Sequence, residues 1–361
     1  MNQATLELDR PDADTIDRTG FDIGWDHAHH GLVPPAELMH AETPVCQGWM
    51  AGRAVFSRRA PGTTRDIRLW LQLRLLAWRR GIAFDVRQLT PSSLAQIHVG
   101  SCPVLRLPLG GLPGDASAAV VERLDPQLGY VAGQLAVMSQ QAAQAADGVD
   151  VRAAVRRARL AESAGEPVFG FAAAAWWRLA ALRSFATALP FHLAARLPLA
   201  VLPPPCVHLV NAVQRLQARV TLQFTAPGWS ARAREIAGLL PEQALRHDFN
   251  LFVGALVPRL LEAGPGADDQ RRALEDAWLH ERVQRRWQHF VLSLGETGVE
   301  TLLLRAGAPG TAAVQAMRPV PVRLPESRPP ASGGPRSCAK MPRRLPPARP
   351  RPQPAAARPA R

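Results

Sequence analysis

The sequence predicts an α+β protein that is mostly α-helical, and three observations lead to this prediction. Apolar residues recur at intervals of three and four through most of residues 149–307, as on the buried stripe of a helix. Residues 102–148 instead have the order strand, loop, strand, turn, helix. Hydrophobic residues make up 47% of the 361 residues, which is enough for a sizeable core.

The first half of the chain divides into segments of different character. Residues 1–62 are predicted as a turn-rich N-terminal segment, because "GLVPPAEL" and "RRAPGTT" interrupt any helical periodicity. In "TTRDIRLWLQLRLLAWRRG" we expect a helix that is capped by Thr63 or Thr64 and ends at Gly81. "IAFDVRQ" alternates as a short strand does, and "TPSSLAQIHV" predicts a capped helix with Pro91 at its first position.

The helix and the stretch that follows it form a predicted unit over residues 63–148. "CPVLRLPL" indicates a short extended pair or turn, "AAVVERLD" a strand, "PQLGY" a turn and "LAVMSQQAAQAA" a helix ending at Gly148. Residues 149–307 are predicted as a helical bundle domain, since short Pro and Gly breaks separate its periodic segments.

The positive charge of the chain is concentrated at its C-terminal end. Residues 318–361 contain 10 Arg, one Lys and one acidic residue, so they supply +10 of the formal net charge of +13 and leave +3 for residues 1–317. This Pro- and Arg-rich tail is predicted to be disordered. Two interpretations stay open: a basic arm that grips phosphates, with Arg343 and Arg344 as candidates, or a passenger sequence without function.

Several classes of protein are disfavoured by the composition. Cys46, Cys102, Cys206 and Cys338 lie far apart, which indicates neither a zinc knuckle nor a dense disulfide framework. No run of about 20 apolar residues could cross a bilayer, so no membrane contact is expected. The N-terminus lacks the apolar core of a secretory signal, and we predict a cytoplasmic protein. The near-exclusive use of Arg over Lys is typical of a GC-rich bacterial genome.

Residues 89–148 carry a pattern that resembles the phage-type branch of the HNH endonucleases. The matching positions are Leu89, Thr90, Pro91, Cys102, Arg123, Asp125, Gly129, Tyr130, Gly133 and Gly148. The resemblance implies a ββα-metal fold in which a divalent cation such as Mg²⁺ or Mn²⁺ sits between strand and helix. It also implies cleavage of phosphodiester bonds in DNA by a metal-activated water.

The chain departs from the family pattern at its polar positions. Glu122 stands where the family has Asp, and Gln134 where it has Asn. Ala143 and Ala146 fall where the family tends to have Asn and Lys, and no His lies within residues 99–148. Because a displacement of about 1 Å can cost roughly a hundredfold in rate, these changes predict a degenerate site that is catalytically weak or inactive.

Candidate site residues follow from the resemblance and from one histidine cluster. Glu122 and Asp125 are the candidate metal ligands, Gln134 the residue that positions a base, and Arg123 a candidate contact to nucleic acid. "WDHAHHG" offers His27 or His30 as the missing base or as metal ligands. The alternatives are a solvated histidine loop and, at the strand, a solvated end with a local ion pair.

Three hypotheses for function follow. The first is a degenerate HNH-like protein without catalysis that contacts nucleic acid, or a protein partner through the helical domain. The second is an active endonuclease that cuts DNA. The third is a structural or assembly protein that does not bind nucleic acid. The first and third require no cofactor, whereas the second requires Mg²⁺ or Mn²⁺.

Overall fold

A computed structural model describes residues 13–56, 62–225, 228–264 and 266–307. All of them belong to one compact unit that spans Met1–Arg318. The described residues contain thirteen α-helices and a single two-stranded antiparallel sheet, so the prediction of a mostly helical α+β protein is confirmed. The basic tail, with Arg343 and Arg344, lies outside the described residues.

Two helices near the N-terminus were not predicted. Helix α1 (Ala13–His29) packs against helix α2 (Pro44–Phe56) within the segment expected to be turn-rich, so that expectation was wrong. The backbones approach so closely that a Cβ atom at Gly24 would overlap the carbonyl oxygen of Val45. Glycine weakens a helix in a propensity argument, but here it allows the two helices to touch.

The next two helices agree with their capping signals. Helix α3 (Arg65–Arg79) begins after Thr64, whose side chain accepts a hydrogen bond from the backbone N–H of Ile67. Helix α4 (Pro91–Gln96) has Pro at its start and a reciprocal capping box between Thr90 and Ser93. Both predicted helices are confirmed, since each cap satisfies backbone N–H groups that a helix start leaves without partners.

The predicted strand "IAFDVRQ" between these helices is wrong. The carboxylate of Asp85 accepts hydrogen bonds from the backbone N–H groups of Arg87 and Gln88, which closes a turn. Within this stretch the structure has only an isolated bridge between Phe84 and Tyr130. An Asp side chain that bonds the backbone two residues on competes directly with strand pairing.

The hairpin and its helix follow. Strand β1 (Ala119–Arg123) pairs with strand β2 (Leu135–Ser139), and helix α5 (Gln140–Ala146) comes next. The predicted strand in "AAVVERLD" is confirmed. The prediction that the helix starts at the apolar "LAVM" is wrong, because all residues of β2 are buried and the helix begins only after Ser139, its N-cap. A short buried apolar run fits a strand and a helix equally well.

The second half of the described chain is helical, as predicted. Its helices are α6 (Val151–Ala164), α7 (Ala173–Ser184), α8 (Phe191–Ala194), α9 (Ala212–Leu222), α10 (Trp229–Gly238), α11 (Gln243–Leu261), α12 (Ala267–Ala277) and α13 (Glu281–Arg305). Helix α13 is kinked at Gly295, where φ is 73° and ψ is 167°.

One hydrophobic core joins the hairpin to these helices. It runs from Cys102 to Leu303, so the predicted division of the chain at residue 148 falls inside a continuous core. Helix α7 lies at its centre and is buried on every side from Ala175 to Ser184. The hairpin separates this core from a smaller one: Ala136 faces the large core, and its neighbour Val137 faces the cluster formed with α3 and α4.

Candidate functional site

A buried arginine lies between the end of β1 and the end of α5. Arg183, on α7, is 2% exposed. Its guanidinium group donates hydrogen bonds to the carbonyl oxygens of Arg123 at 2.6 Å, Leu124 at 3.1 Å and Ala146 at 2.9 Å. It also donates to Oε1 of Glu122 at 3.4 Å, which is an ion pair. We call these five residues the closed centre.

The local structure explains why these oxygens need a donor. Helix α5 ends at Ala146, and the last carbonyl groups of any helix have no partner within the helix. The chain also leaves β1 at Arg123, where the ladder with β2 ends. Buried carbonyl groups without donors are costly, and a guanidinium group brings five N–H donors in one plane. One side chain therefore donates to both chain ends, and the Ala146 carbonyl accepts in addition from the backbone N–H of Val149.

Burial and neighbouring charges shift the pKa values of the two ionisable groups that form the ion pair of the closed centre. Burial raises the pKa of Glu122, while the positive charges of Arg183 and Arg123 oppose this change. Burial likewise lowers the pKa of Arg183, and the carboxylates of Glu122 and Asp125 oppose it. Glu122 and Asp125 therefore both lie close to the same guanidinium group, and the centre holds a charge pair rather than two free carboxylates.

The closed centre does not fit a divalent cation. The Oε1 atom of Glu122 and the three carbonyl oxygens already accept from Arg183, whose positive charge would repel a second cation. The Oδ1 atom of Asp125 accepts a hydrogen bond from the backbone N–H of Gln127. Within the described ranges, no group of three His, Cys, Asp or Glu side chains is arranged to hold a metal ion.

Arg123 and Gln134, two further residues that the sequence singles out, contact the protein itself. The Arg123 guanidinium donates to the carbonyl oxygens of Pro126 and Leu128 and lies 5.5 Å from the ring centre of Tyr130. This arginine therefore holds the turn that follows β1. The Oε1 atom of Gln134 is buried and has no donor among the described residues.

The histidine cluster lies in a different environment. His27 is buried in α1, and its Nδ1 atom donates to the carbonyl oxygen of Ile23 at 2.8 Å. Burial lowers the pKa of His27 and also that of His30. The charged groups that act on His27 are Asp26, Arg74 and His30, whereas those that act on Glu122 are Arg123, Asp147 and Arg183. The structure does not bring a histidine of this cluster to Glu122.

A second arginine of α7 ties the Cys102 turn to α12. Arg178 donates to the carbonyl oxygen of Val104 at 3.2 Å and to Oδ1 of Asp276 at 3.4 Å. Arg106, from the same turn as Val104, donates to the other oxygen of Asp276 at 2.7 Å and also pairs with the buried Glu275. These contacts fix the turn that precedes the hairpin.

Helix α6 carries arginines that are exposed, in contrast to the buried arginines of α7. Its Arg152, Arg156 and Arg159 are all exposed, and none of them has a salt-bridge partner in the part of the chain that the structure describes. Their spacing of four and three residues places them within an arc of about 60° on one face of the helix. We call these three residues the α6 arginine row. The sequence alone does not single out this row, because charged residues on one face of a helix are usually solvated.

Comparison with known proteins adds no relative. No family model, curated protein or solved structure matches the chain. In addition, none of the helices in the described ranges has the length and apolar character needed to span a membrane.

Proposed function

We propose that this chain is a catalytically inactive HNH-like protein that binds nucleic acid. The proposed lack of catalytic activity rests on one observation: the Arg183 guanidinium donates hydrogen bonds to the carbonyl oxygens at the ends of β1 and α5. Metal-dependent phosphodiester hydrolysis needs a cation against the scissile phosphate and a base for the attacking water. Here the Arg183 side chain occupies the oxygens that a cation would need, and no histidine of the α1 cluster approaches Glu122.

The nucleic-acid part is supported by the charge of α6. This helix contains four arginines and one glutamate, a net charge of +3 that equals the net charge of all residues 1–317. The one glutamate, Glu162, accepts a hydrogen bond from the indole N–H of Trp177 at 2.6 Å and forms no salt bridge with the α6 arginine row among the described residues. A concentrated row of unpaired guanidinium groups is suited to phosphates.

Incubation of the full-length protein with supercoiled plasmid tests both parts. With Mg²⁺ or Mn²⁺ present, we expect the plasmid to stay intact and to be retained at low salt. Retention should fall steeply as salt rises, since phosphate contacts release counterions. Nicking that disappears in Glu122→Ala would overturn the proposal and favour an active endonuclease. Absence of any retention at low salt would also overturn it and would favour an assembly protein.

The basic tail needs its own control, because its +10 charge can hold phosphates by itself. A full-length variant in which every Arg and Lys of residues 318–361 is replaced by Ser serves this purpose. We expect weaker but still salt-sensitive retention from the remaining residues. Complete loss in this variant would assign the binding to the tail and would remove the role proposed for the described unit.

A further inference from the structure

We propose that the α6 arginine row and Phe169 together form a binding surface for single-stranded nucleic acid. The arginines contact successive phosphates, and the Phe169 ring stacks on a base. This inference rests on the proposed function and specifies the surface and the class of partner. It is carried by two observations: an unpaired row of charge, and an exposed aromatic ring that packs against the same helix.

The row is long enough to follow a strand. From Arg152 to Arg159 the helix rises by about 10 Å, at 1.5 Å per residue. The acidic groups of this helix region form no salt bridge with the row among the described residues: Asp150 caps the helix by accepting from the backbone N–H of Ala153, and Glu162 accepts from Trp177. The row therefore presents its charge to solvent, where an anionic backbone can reach it.

Phe169 is an unusual residue for a surface. Its side chain is 70% exposed, and its φ angle is 48°, a left-handed conformation that disfavours non-glycine residues. It lies in the turn closed by the bridge between Val168 and Phe171. Gly170 also has a positive φ angle, 78°, as a two-residue turn between bridged residues requires at both of its central positions. The turn therefore accounts for the backbone of Phe169, and the exposure of its ring is the feature that packing does not account for.

The inner side of the Phe169 ring is already supported. The guanidinium group of Arg157 lies 4.4 Å from the Phe169 ring centre and 4.8 Å from that of Trp176, so this cation is stacked between two aromatic rings. The arrangement holds Phe169 in place and leaves its other face to solvent. Leu160, on the same helix, is 54% exposed and adds apolar surface beside it.

An exposed ring on the flank of the helix that carries the row favours single strands over duplexes. Unpaired bases offer their flat faces for stacking, and every base has such a face, so recognition tolerates any sequence. In a duplex the base faces are covered by their neighbours, and only the phosphates remain for the row. We therefore expect the ring to contribute to single-strand binding and not to duplex binding.

The first test compares two triple variants of the full-length protein. Arg152, Arg156 and Arg159 are replaced by Gln in one, and Arg68, Arg234 and Arg282, three exposed arginines of α3, α10 and α13, in the other. The net charge and the tail are the same in both. With a labelled 20-nucleotide single strand, we expect the α6 variant to bind at least tenfold more weakly, with a salt slope reduced by about 2. We expect less than a twofold change in the control. Equal effects of the two triples would overturn the inference.

The second test uses Phe169→Gly, which removes the ring and relieves the positive φ angle. The variant should remain as stable as the natural protein, so weaker binding cannot be attributed to unfolding. We expect at least a fivefold loss of affinity for single-stranded DNA or RNA and no change for a duplex of the same sequence. Unchanged single-strand affinity would overturn the role of the ring.

The outcomes separate this inference from the proposed function. If the natural protein retains nucleic acid and the α6 and Phe169 variants bind as it does, the surface is elsewhere and only the inference fails. If the natural protein retains no nucleic acid at low salt, the proposed function fails and the inference with it. A difference between DNA and RNA strands supports the inference and identifies the preferred sugar.

Discussion

Helices α6 and α7 pack against each other and carry the same residue type in opposite environments. Arg183 of α7 is buried and donates to four oxygens, whereas the arginines of the α6 row are exposed and have no ion pair in the described part of the chain. The inner charge is used to join chain segments, and the outer charges remain available to a partner. The number of arginines in a sequence therefore says little until their acceptors are known.

Replacing Arg183 with Met should have the largest effect on stability. Methionine keeps an apolar side chain of related length but removes the donor to the carbonyl groups of Arg123 and Leu124 and to Glu122, while the Ala146 carbonyl keeps the backbone N–H of Val149. We expect the free energy of unfolding to fall by about 3–5 kcal/mol, measured by urea denaturation. Arg183→Lys should recover part of this loss, since an ammonium group still has three donors. A loss below about 1 kcal/mol in the Met variant would contradict the closed centre.

A buried imidazole sharpens the comparison, because the burial of His27, like that of Arg183, disfavours the charged form, but no carboxylate forms a salt bridge with His27 among the described residues. Burial lowers the pKa of His27 below its usual value. As pH falls through about 6.5, the unfolded chain takes up a proton that the folded protein does not, so the folded state loses stability at up to about 1.4 kcal/mol per pH unit. His30, whose pKa is also lowered, contributes in the same direction.

Urea unfolding at pH 8 and pH 5 measures this dependence. His27→Gln should weaken it, and His192→Gln, at an exposed histidine, should leave it unchanged. The same pH dependence in the natural protein and in His27→Gln would show that His27 is charged when folded.

A smaller effect is expected from Glu122→Gln. The amide still offers an oxygen to Arg183. The substitution also removes the free-energy cost of burying a negative charge, the same cost that raises the pKa of Glu122. We expect a change of about 1 kcal/mol or less, well below that of Arg183→Met. The reverse order of the two effects in the same urea assay would mean that the carboxylate, and not the set of carbonyl groups, holds the closed centre.

The smallest change in stability should come from the α6 arginine row. Glutamine is a good helix former, and exposed substitutions usually change the free energy of unfolding by no more than about 0.5 kcal/mol per site. The triple Gln variant should therefore unfold with nearly the same urea midpoint as the natural protein. A large loss would place these side chains in the fold and break the distinction between inner and outer arginines.

The sequence predicts the elements whose signals are local. Thr64 and Thr90 are helix caps that require only the next few residues, and both helices begin where predicted. Helices α1 and α2 are missed because Gly24 and Gly48 serve the contact between two helices, which no local propensity can reveal. Strand β2 is assigned to a helix because its apolar run fits either structure until its partner β1 is known.

The candidate site shows the same limit. Glu122 can be singled out from its strand, but its partner Arg183 follows 61 residues later on a different helix, and no spacing rule connects the two. The available signal is that Arg178 and Arg183 interrupt an otherwise apolar helix. Because charged residues are rarely buried without partners, two arginines in such a helix predict inward-facing ion pairs, although not with which residues.

The long separation within the closed centre also has a consequence during synthesis. The chain leaves the ribosome from its N-terminus, so β1, β2 and α5 are complete well before Arg183, which follows Arg123 by 60 residues. At a translation rate of about 5–20 residues per second, Arg183 is synthesised several seconds after Arg123 and Leu124, whose carbonyl groups lack this donor until then. The hairpin therefore reaches its final hydrogen bonding only after α7 has been translated and has packed beneath it.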